Sequence, residues 1–344
     1  MKKTKKLSAL LLILVMLVNL LPSAVAGTVA EASATEAVRY VSATGDDSAN
    51  DGTTAEAPYK TLKAAITALN SVDATDKIVK IVGNYTWNRD DTVAHSKMIT
   101  LAGNEGTEVL SLSGQNVWHQ SGALKIENLV LNYTVSEGGI YSFGNEMVIG
   151  ENVTVAYNGD TTASLSSFYP RLGAGAISSH TCSQSSPHKL TLNSGRFSDV
   201  FLGDTAFTSG TTHTTPGIEF TMNPGATAVT VKIGGNGAAA CNSYTDNVNL
   251  VLNGGTITSS VCLAGTDTSK LNFNGNAVQV ILNNGFAPTL NDNLTADNIA
   301  ACGGGVYYRL NCAAAVDGSI LETTGTAGTY KVNGDMTATA TDAN

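Results

Sequence analysis

Charge is scarce in this chain. Only 14% of its 344 residues are Asp, Glu, Lys or Arg, against roughly a quarter in ordinary globular proteins. Basic charge is scarcest, with 19 Lys and Arg against 28 Asp and Glu. Lys2, Lys3, Lys5 and Lys6 stand at the extreme N-terminus, so without them the balance is 15 against 28. Nucleic-acid binding needs clustered cations, and this chain lacks them. The acidic balance also disfavours a polyanionic partner such as pectin unless a basic groove or bound cations intervene. No CxxC pair occurs among Cys182, Cys241, Cys262, Cys302 and Cys312, which argues against a structural zinc site. The odd count leaves at least one thiol unpaired or bonded to another chain. Cys262 sits in an apolar strand and reads as a small buried thiol, and Cys302–Cys312 is a pairing without geometric support. Strands joined by alternating helices are missing, which excludes a doubly wound α/β fold.

What the chain does contain is a phrase that returns. Leu190-Thr191-Leu192-Asn193-Ser194-Gly195 is followed by Phe220-Thr221-Met222-Asn223-Pro224-Gly225. Next come Leu250-Val251-Leu252-Asn253-Gly254-Gly255 and, more loosely, Leu271-Asn272-Phe273-Asn274-Gly275. The Asn-to-Asn steps are 30, 30 and 21 residues. Each phrase alternates apolar and polar residues and stops at an Asn/Gly turn, as a half-buried strand does. A second strand follows each time, at residues 197–203, 228–234, 257–265 and 277–283. Strand, turn and strand repeated at this period point to a solenoid. A β-sandwich is the structural alternative, disfavoured by the near-fixed register over some hundred residues.

The N-terminus combines the four lysines, an apolar run at 7–21 and Pro22-Ser23-Ala24-Val25-Ala26. That pattern predicts a secretory signal peptide cut after Ala26, rather than a membrane anchor, for which the run is too short. Residues 27–37 read as a disordered leader, and order is expected from Val38. A turn-rich loop at 43–53 precedes Ala57-Pro58-Tyr59-Lys60-Thr61-Leu62. Leu62, Ala65, Ile66 and Leu69 then recur at helical spacing, predicting an amphipathic helix at 59–71 entered after Pro58.

Residues 39–66 carry a resemblance. Tyr40-Val41-Ser42, Gly45, Asp47, Asp51-Gly52-Thr53 and Ala57-Pro58-Tyr59-Lys60-Thr61-Leu62, followed by Ala65-Ile66, resemble the opening of secreted right-handed parallel β-helix proteins of the pectate-lyase-like superfamily. The resemblance covers about 28 residues and implies architecture more than activity, because lyases, hydrolases and adhesive surface proteins share it. It implies that the helix covers the open N-terminal end of the solenoid, where bare strand edges and apolar side chains need protection.

Chemistry is thinly signalled. Asp46, Asp47 and Asp51 lie in one loop and are the candidate ligands for calcium, with no other cofactor expected, although an Asp/Asn/Gly turn needs no metal. Lyases of the resembled superfamily need a Lys or Arg base and usually calcium held by several Asp. The nearest approach here is Arg196 with Asp199 and Asp204 downstream, and a solvated face is the plainer reading. The Asn-x-Asp, Asp-Asp and Gly-His-Gly signatures of the related glycosidases do not occur in the coil region. His95, His119, His180, His188 and His213 are dispersed and form no triad or metal spacing. Trp87, Trp118, Tyr141, Tyr157, Phe168, Tyr169 and Tyr244 could stack on sugars, though most suit a core. Two insertions, at 160–187 and 205–216, are expected on one face. Phe168, Tyr169 and Arg171, in the first, are the candidate carbohydrate-binding residues.

These features predict an all-β protein: a right-handed single-stranded parallel β-helix over residues 38–324, with an N-terminal capping helix and a Thr/Ala/Gly-rich tail or linker at 325–344. The expected role is non-catalytic binding of a polysaccharide, or of a cell-surface glycan or protein, through one face of the solenoid. The expected location is outside, or on the surface of, a bacterium, as a monomer with no membrane span after signal cleavage. The alternatives are a polysaccharide lyase or glycoside hydrolase of that superfamily, and a structural spacer in a larger surface protein.

Overall fold

A computed structural model describes residues 36–88, 91, 93–114, 116–119, 121–175, 185–204, 212–234, 241–262, 270–272, 278–283, 290–291, 306–311 and 329–333. The signal segment, most of the leader, most of the tail, Cys182, Cys302, Cys312 and His180 lie outside them.

Alternating apolar residues make short strands, and every ladder joining two named strands among the described residues is parallel. Four sheets result, of eleven, seven, four and three strands. Consecutive strands fall in different sheets. Ile99–Gly103 belongs to the eleven-stranded sheet, Val109–Leu112 to the four-stranded and Asn116–Trp118 to the seven-stranded. The chain then returns to the eleven-stranded sheet at Leu124–Glu127, paired beside Ile99–Gly103. This circuit repeats, a path compatible with a β-helix or solenoid. From His188–Leu192 onward the third side changes. Arg196–Phe201 enters the seven-stranded sheet directly, and Thr212–Thr215 then opens the three-stranded sheet.

The repeated phrase is the register of the eleven-stranded sheet. Leu190 pairs with Phe220, Phe220 with Leu250, and Leu250 with Val280. Leu190, Phe220 and Leu250 are buried, as are Leu192, Met222 and Leu252 one step along. Each such side chain contributes about 1.5–3 kcal/mol by leaving water. The fourth copy is therefore Val278–Asn283, a further 30-residue step, and not the Leu271 phrase. Leu271 instead pairs with Asn242 in the three-stranded sheet. The expected strand at 277–283 likewise leaves the seven-stranded sheet for the eleven-stranded one. Thr329–Asn333, inside the stretch expected as a tail, pairs with Val306–Asn311.

The turn asparagines stack. Asn223 Nδ2 donates to Asn193 Oδ1 at 2.6 Å, and Asn253 Nδ2 to Asn223 Oδ1 at 2.8 Å. Asn152 and Asn128 form a second pair at 3.0 Å. Both adopt left-handed backbone, φ 55° and 52°, which Asn tolerates better than most residues, and each turns the chain out of the eleven-stranded sheet.

The helix is Leu62–Asn70, shorter at its start than expected because Thr61 caps it. Thr61 Oγ1 accepts from the Ala64 N–H and donates to Asp47 Oδ2. Leu62, Ala65, Ile66 and Leu69 are buried in the same apolar cluster as the sheets. Tyr85 Oη, in the second strand after the helix, accepts the Leu62 N–H at 3.0 Å. In the loop before the helix, a side chain on Gly45 would collide with the Pro58 and Tyr59 carbonyls, so Gly45 and Pro58-Tyr59 are a packing pair.

Asn223 occupies the middle of its ladder, so Asn223→Ala removes both side-chain bonds at once. The expected loss is about 1–3 kcal/mol, measured by urea unfolding. His188 is fully buried, with Nδ1 3.4 Å from the Leu202 carbonyl. Burial pushes its pKa below the ordinary 6.5, against the opposing pull of the nearby Asp204 and the Leu202 carbonyl. Below pH 6.5 the unfolded chain then holds a proton there that the folded chain refuses. Stability at this residue is complete above that pH and falls below it. Urea midpoints taken from neutral pH downward should fall, and His188→Gln should flatten that slope.

Candidate functional site

The seven-stranded sheet builds the most chemically furnished surface. Ile140, Leu172, Val200 and Val231 pair in sequence across its strands and are buried in the core. Residues on either side of that row face the other way, because successive strand side chains alternate. One outward row is Gly139, Arg171, Asp199 and Thr230; the next is Tyr141, Gly173, Phe201 and Lys232.

Three ion pairs run across these rows. Arg171 Nη2 lies 3.4 Å from Glu137 Oε2, and Arg171 Nε lies 3.8 Å from Asp199 Oδ2. Lys232 Nζ lies 2.7 Å from Asp199 Oδ1. Asp199 and Lys232 side chains are each 17% exposed, so this contact is well shielded. The Lys232 ammonium also sits 5.0 Å from the centroid of the Phe201 ring, a cation–π contact. Arg171 Nε is buried and has no hydrogen-bond partner, since 3.8 Å is too long for one. Tyr141 lies flat over this face, and a side chain on Gly173 or Gly139 would fall against its ring. Beside Arg171 stands Tyr169, 40% exposed and the only exposed large apolar side chain among the described residues. Its backbone pairs with Glu137.

The candidate residues from the sequence separate into different places. Tyr169 and Arg171 are adjacent on the outer face, and Asp199 joins them there. Phe168 does not: it is fully buried, stacked on Tyr157 at 5.1 Å and 11°, with Tyr133 at 6.3 Å. Strand alternation puts it opposite Tyr169, so it belongs to the core. The Arg196 guanidinium is 5.9 Å from the Phe168 ring centroid, with one Nη buried and unpartnered. Asp204 is buried past the strand end near His188. Arg196, Asp199 and Asp204 therefore form no shared site. Trp87, Tyr141 and Tyr244 are buried as well.

The calcium candidates serve their own loop. Asp46 Oδ1 accepts from the Ser48 and Ala49 N–H groups and the Ser48 hydroxyl. Asp51 Oδ1 accepts from the Thr53 N–H and hydroxyl. These hydrogen bonds hold both carboxyls below the usual carboxylate range. Asp47 accepts from the Lys60 and Thr61 N–H groups, fastening the loop to the helix start. Among the described residues no three His, Cys, Asp or Glu converge as they would around a metal ion.

Sequence reasoning missed Glu137 and Lys232, because the distances along the chain between Arg171, Asp199 and Lys232 depend on insertion lengths. No helix among the described residues is long and apolar enough to cross a membrane. Comparison of the chain with profiles of known protein families, with curated proteins and with solved structures found no match.

Asp199→Asn should leave Arg171 and Lys232 without their shared carboxylate and cost about 1–3 kcal/mol in urea unfolding. Adding Lys232→Met should restore part of that loss, a coupling that a double-mutant cycle reads directly.

Proposed function

We propose that this chain is a secreted right-handed parallel β-helix that binds glycans, or a glycan-bearing surface, without cleaving them. Right-handedness rests on the strong preference of parallel crossovers for that hand. The helix Leu62–Asn70, whose apolar face joins the core at the first strands, closes the solenoid start in this reading. Secretion rests on the signal-like N-terminus, and a bacterial surface or extracellular setting on the superfamily resemblance.

The observation that carries the binding role is Tyr169 beside Arg171. An exposed ring gives a sugar an apolar platform, and the Arg171 guanidinium beside it, on a side chain 26% exposed, carries Nη–H donors. Glu137 adds an acceptor. Each described carboxylate in these rows is engaged by a cation, Glu137 by Arg171 and Asp199 by Arg171 and Lys232. That pairing is why the reading is non-catalytic, since a general base needs a free carboxylate or amine aimed at substrate.

A second reading, a polysaccharide lyase, is favoured by one feature: Arg171 and Lys232 put two cations on one face, where a uronate carboxylate could settle. Glycan-array binding by the mature chain, followed by titration of the best hit, tests the first. Tyr169→Ala and Arg171→Ala should each weaken binding at least about tenfold, roughly 1.4 kcal/mol. A blank array would favour a passive spacer. Unsaturated product released from polygalacturonate or alginate, and lost in Lys232→Ala, would establish the lyase instead.

A further inference from the structure

Two histidines meet at the other end of the described strands. His95 lies in the segment before Ile99–Gly103, and His119 follows Asn116–Trp118. Their Nε2 atoms are 3.2 Å apart, with ring centroids at 5.3 Å and planes at 42°. His119 is buried and His95 half-buried.

The proton count at this contact is awkward. His95 Nδ1 lies 2.8 Å from the Lys97 carbonyl, which can only accept, so Nδ1 carries the hydrogen. A neutral His95 then presents a bare lone pair at Nε2. His119 can donate from its own Nε2, but its Nδ1 is then a buried acceptor, and that atom has no hydrogen-bond partner. With the hydrogen on Nδ1 instead, the two Nε2 lone pairs meet 3.2 Å apart and a cation is needed to bridge them.

We propose that His95 and His119 form a two-imidazole site for a borderline divalent cation, zinc or copper(II), that fastens the 93–98 segment to the next circuit. Two imidazole nitrogens held about 2.0–2.1 Å from a tetrahedral zinc ion stand about 3.3 Å apart, close to the observed separation. The Lys97 carbonyl on the far side of His95 is the outer partner that a ligating imidazole ordinarily has. Imidazole suits zinc and copper and not calcium or magnesium, which prefer oxygen. No third protein ligand joins among the described residues, so solvent completes the shell. Asp91 lines the small, mainly apolar cavity beside His119 and supplies negative charge nearby, while Lys77 opposes from the side of His95.

Trp87 provides the readout, because its ring meets His119 edge-on at 6.2 Å between centroids. The mature chain without any affinity tag is titrated with copper(II) while tryptophan fluorescence is followed, then with zinc as competitor. Saturable quenching at one equivalent, reversed by zinc, is expected. A rise in Tm with zinc should accompany it. His95→Gln, at the more exposed partner, should weaken both at least about tenfold while leaving the circular dichroism spectrum unchanged. Should His119→Gln fail to fold, His95→Gln alone decides. Absent or non-saturable quenching, or quenching that His95→Gln leaves intact, overturns the site.

Discussion

The structure depends on parallel register. A strand's backbone N–H and C=O groups find partners only in the circuits on either side of it, so each new circuit must repeat the height and phase of the last. A slip of one residue would exchange the buried and exposed faces of a strand. Leu190, Phe220 and Leu250 show the phase being kept, with one buried apolar side chain at the same height in each circuit.

Register also explains the polar features, which are otherwise unrelated. Stacking brings like positions together whatever their separation along the chain. Asn193, Asn223 and Asn253 become a hydrogen-bonded column. Lys189 meets Glu219, its register partner, at 2.7 Å. Arg171 faces Asp199 across adjacent strands, and Lys232 reaches the same carboxylate from the strand beyond. The same vertical step places His119 above His95, 24 residues earlier. In a chain so poor in charge, stacking concentrates the few ionic groups it has, and their mutual pairing leaves Tyr169 as the exposed ring of that face.

Some of this was legible beforehand. The strand phrases were read correctly as strands, and their 30-residue period holds from His188–Leu192 to Val278–Asn283, since alternation and Asn/Gly turns are signals within a few residues. The fourth copy was misplaced at Leu271 because a local resemblance, Leu-Asn-Phe-Asn-Gly, outweighed the period that leads to Val280. The three-stranded sheet went unseen because Thr212–Thr215 and Cys241–Tyr244 are polar or mixed and lack the apolar alternation of the other strands. Phe168 and Tyr169 were taken as a pair, whereas alternation within a strand sends neighbours to opposite sides. One signal was overlooked: His95 and His119 share the 24-residue step of Asn128 and Asn152, which is the local length of a circuit.

By itself the sequence determined where the apolar alternating strands and their Asn/Gly turns form, and that a helix burying Leu62, Ala65, Ile66 and Leu69 precedes the main run of strands. Those outcomes follow from side-chain polarity and backbone preference over short spans. Only the tertiary structure decided which strands became neighbours and therefore which side chains meet. That choice turns on the length of the connections between strands, such as the longer passage between Ile149 and His188, and alternation carries no information about it.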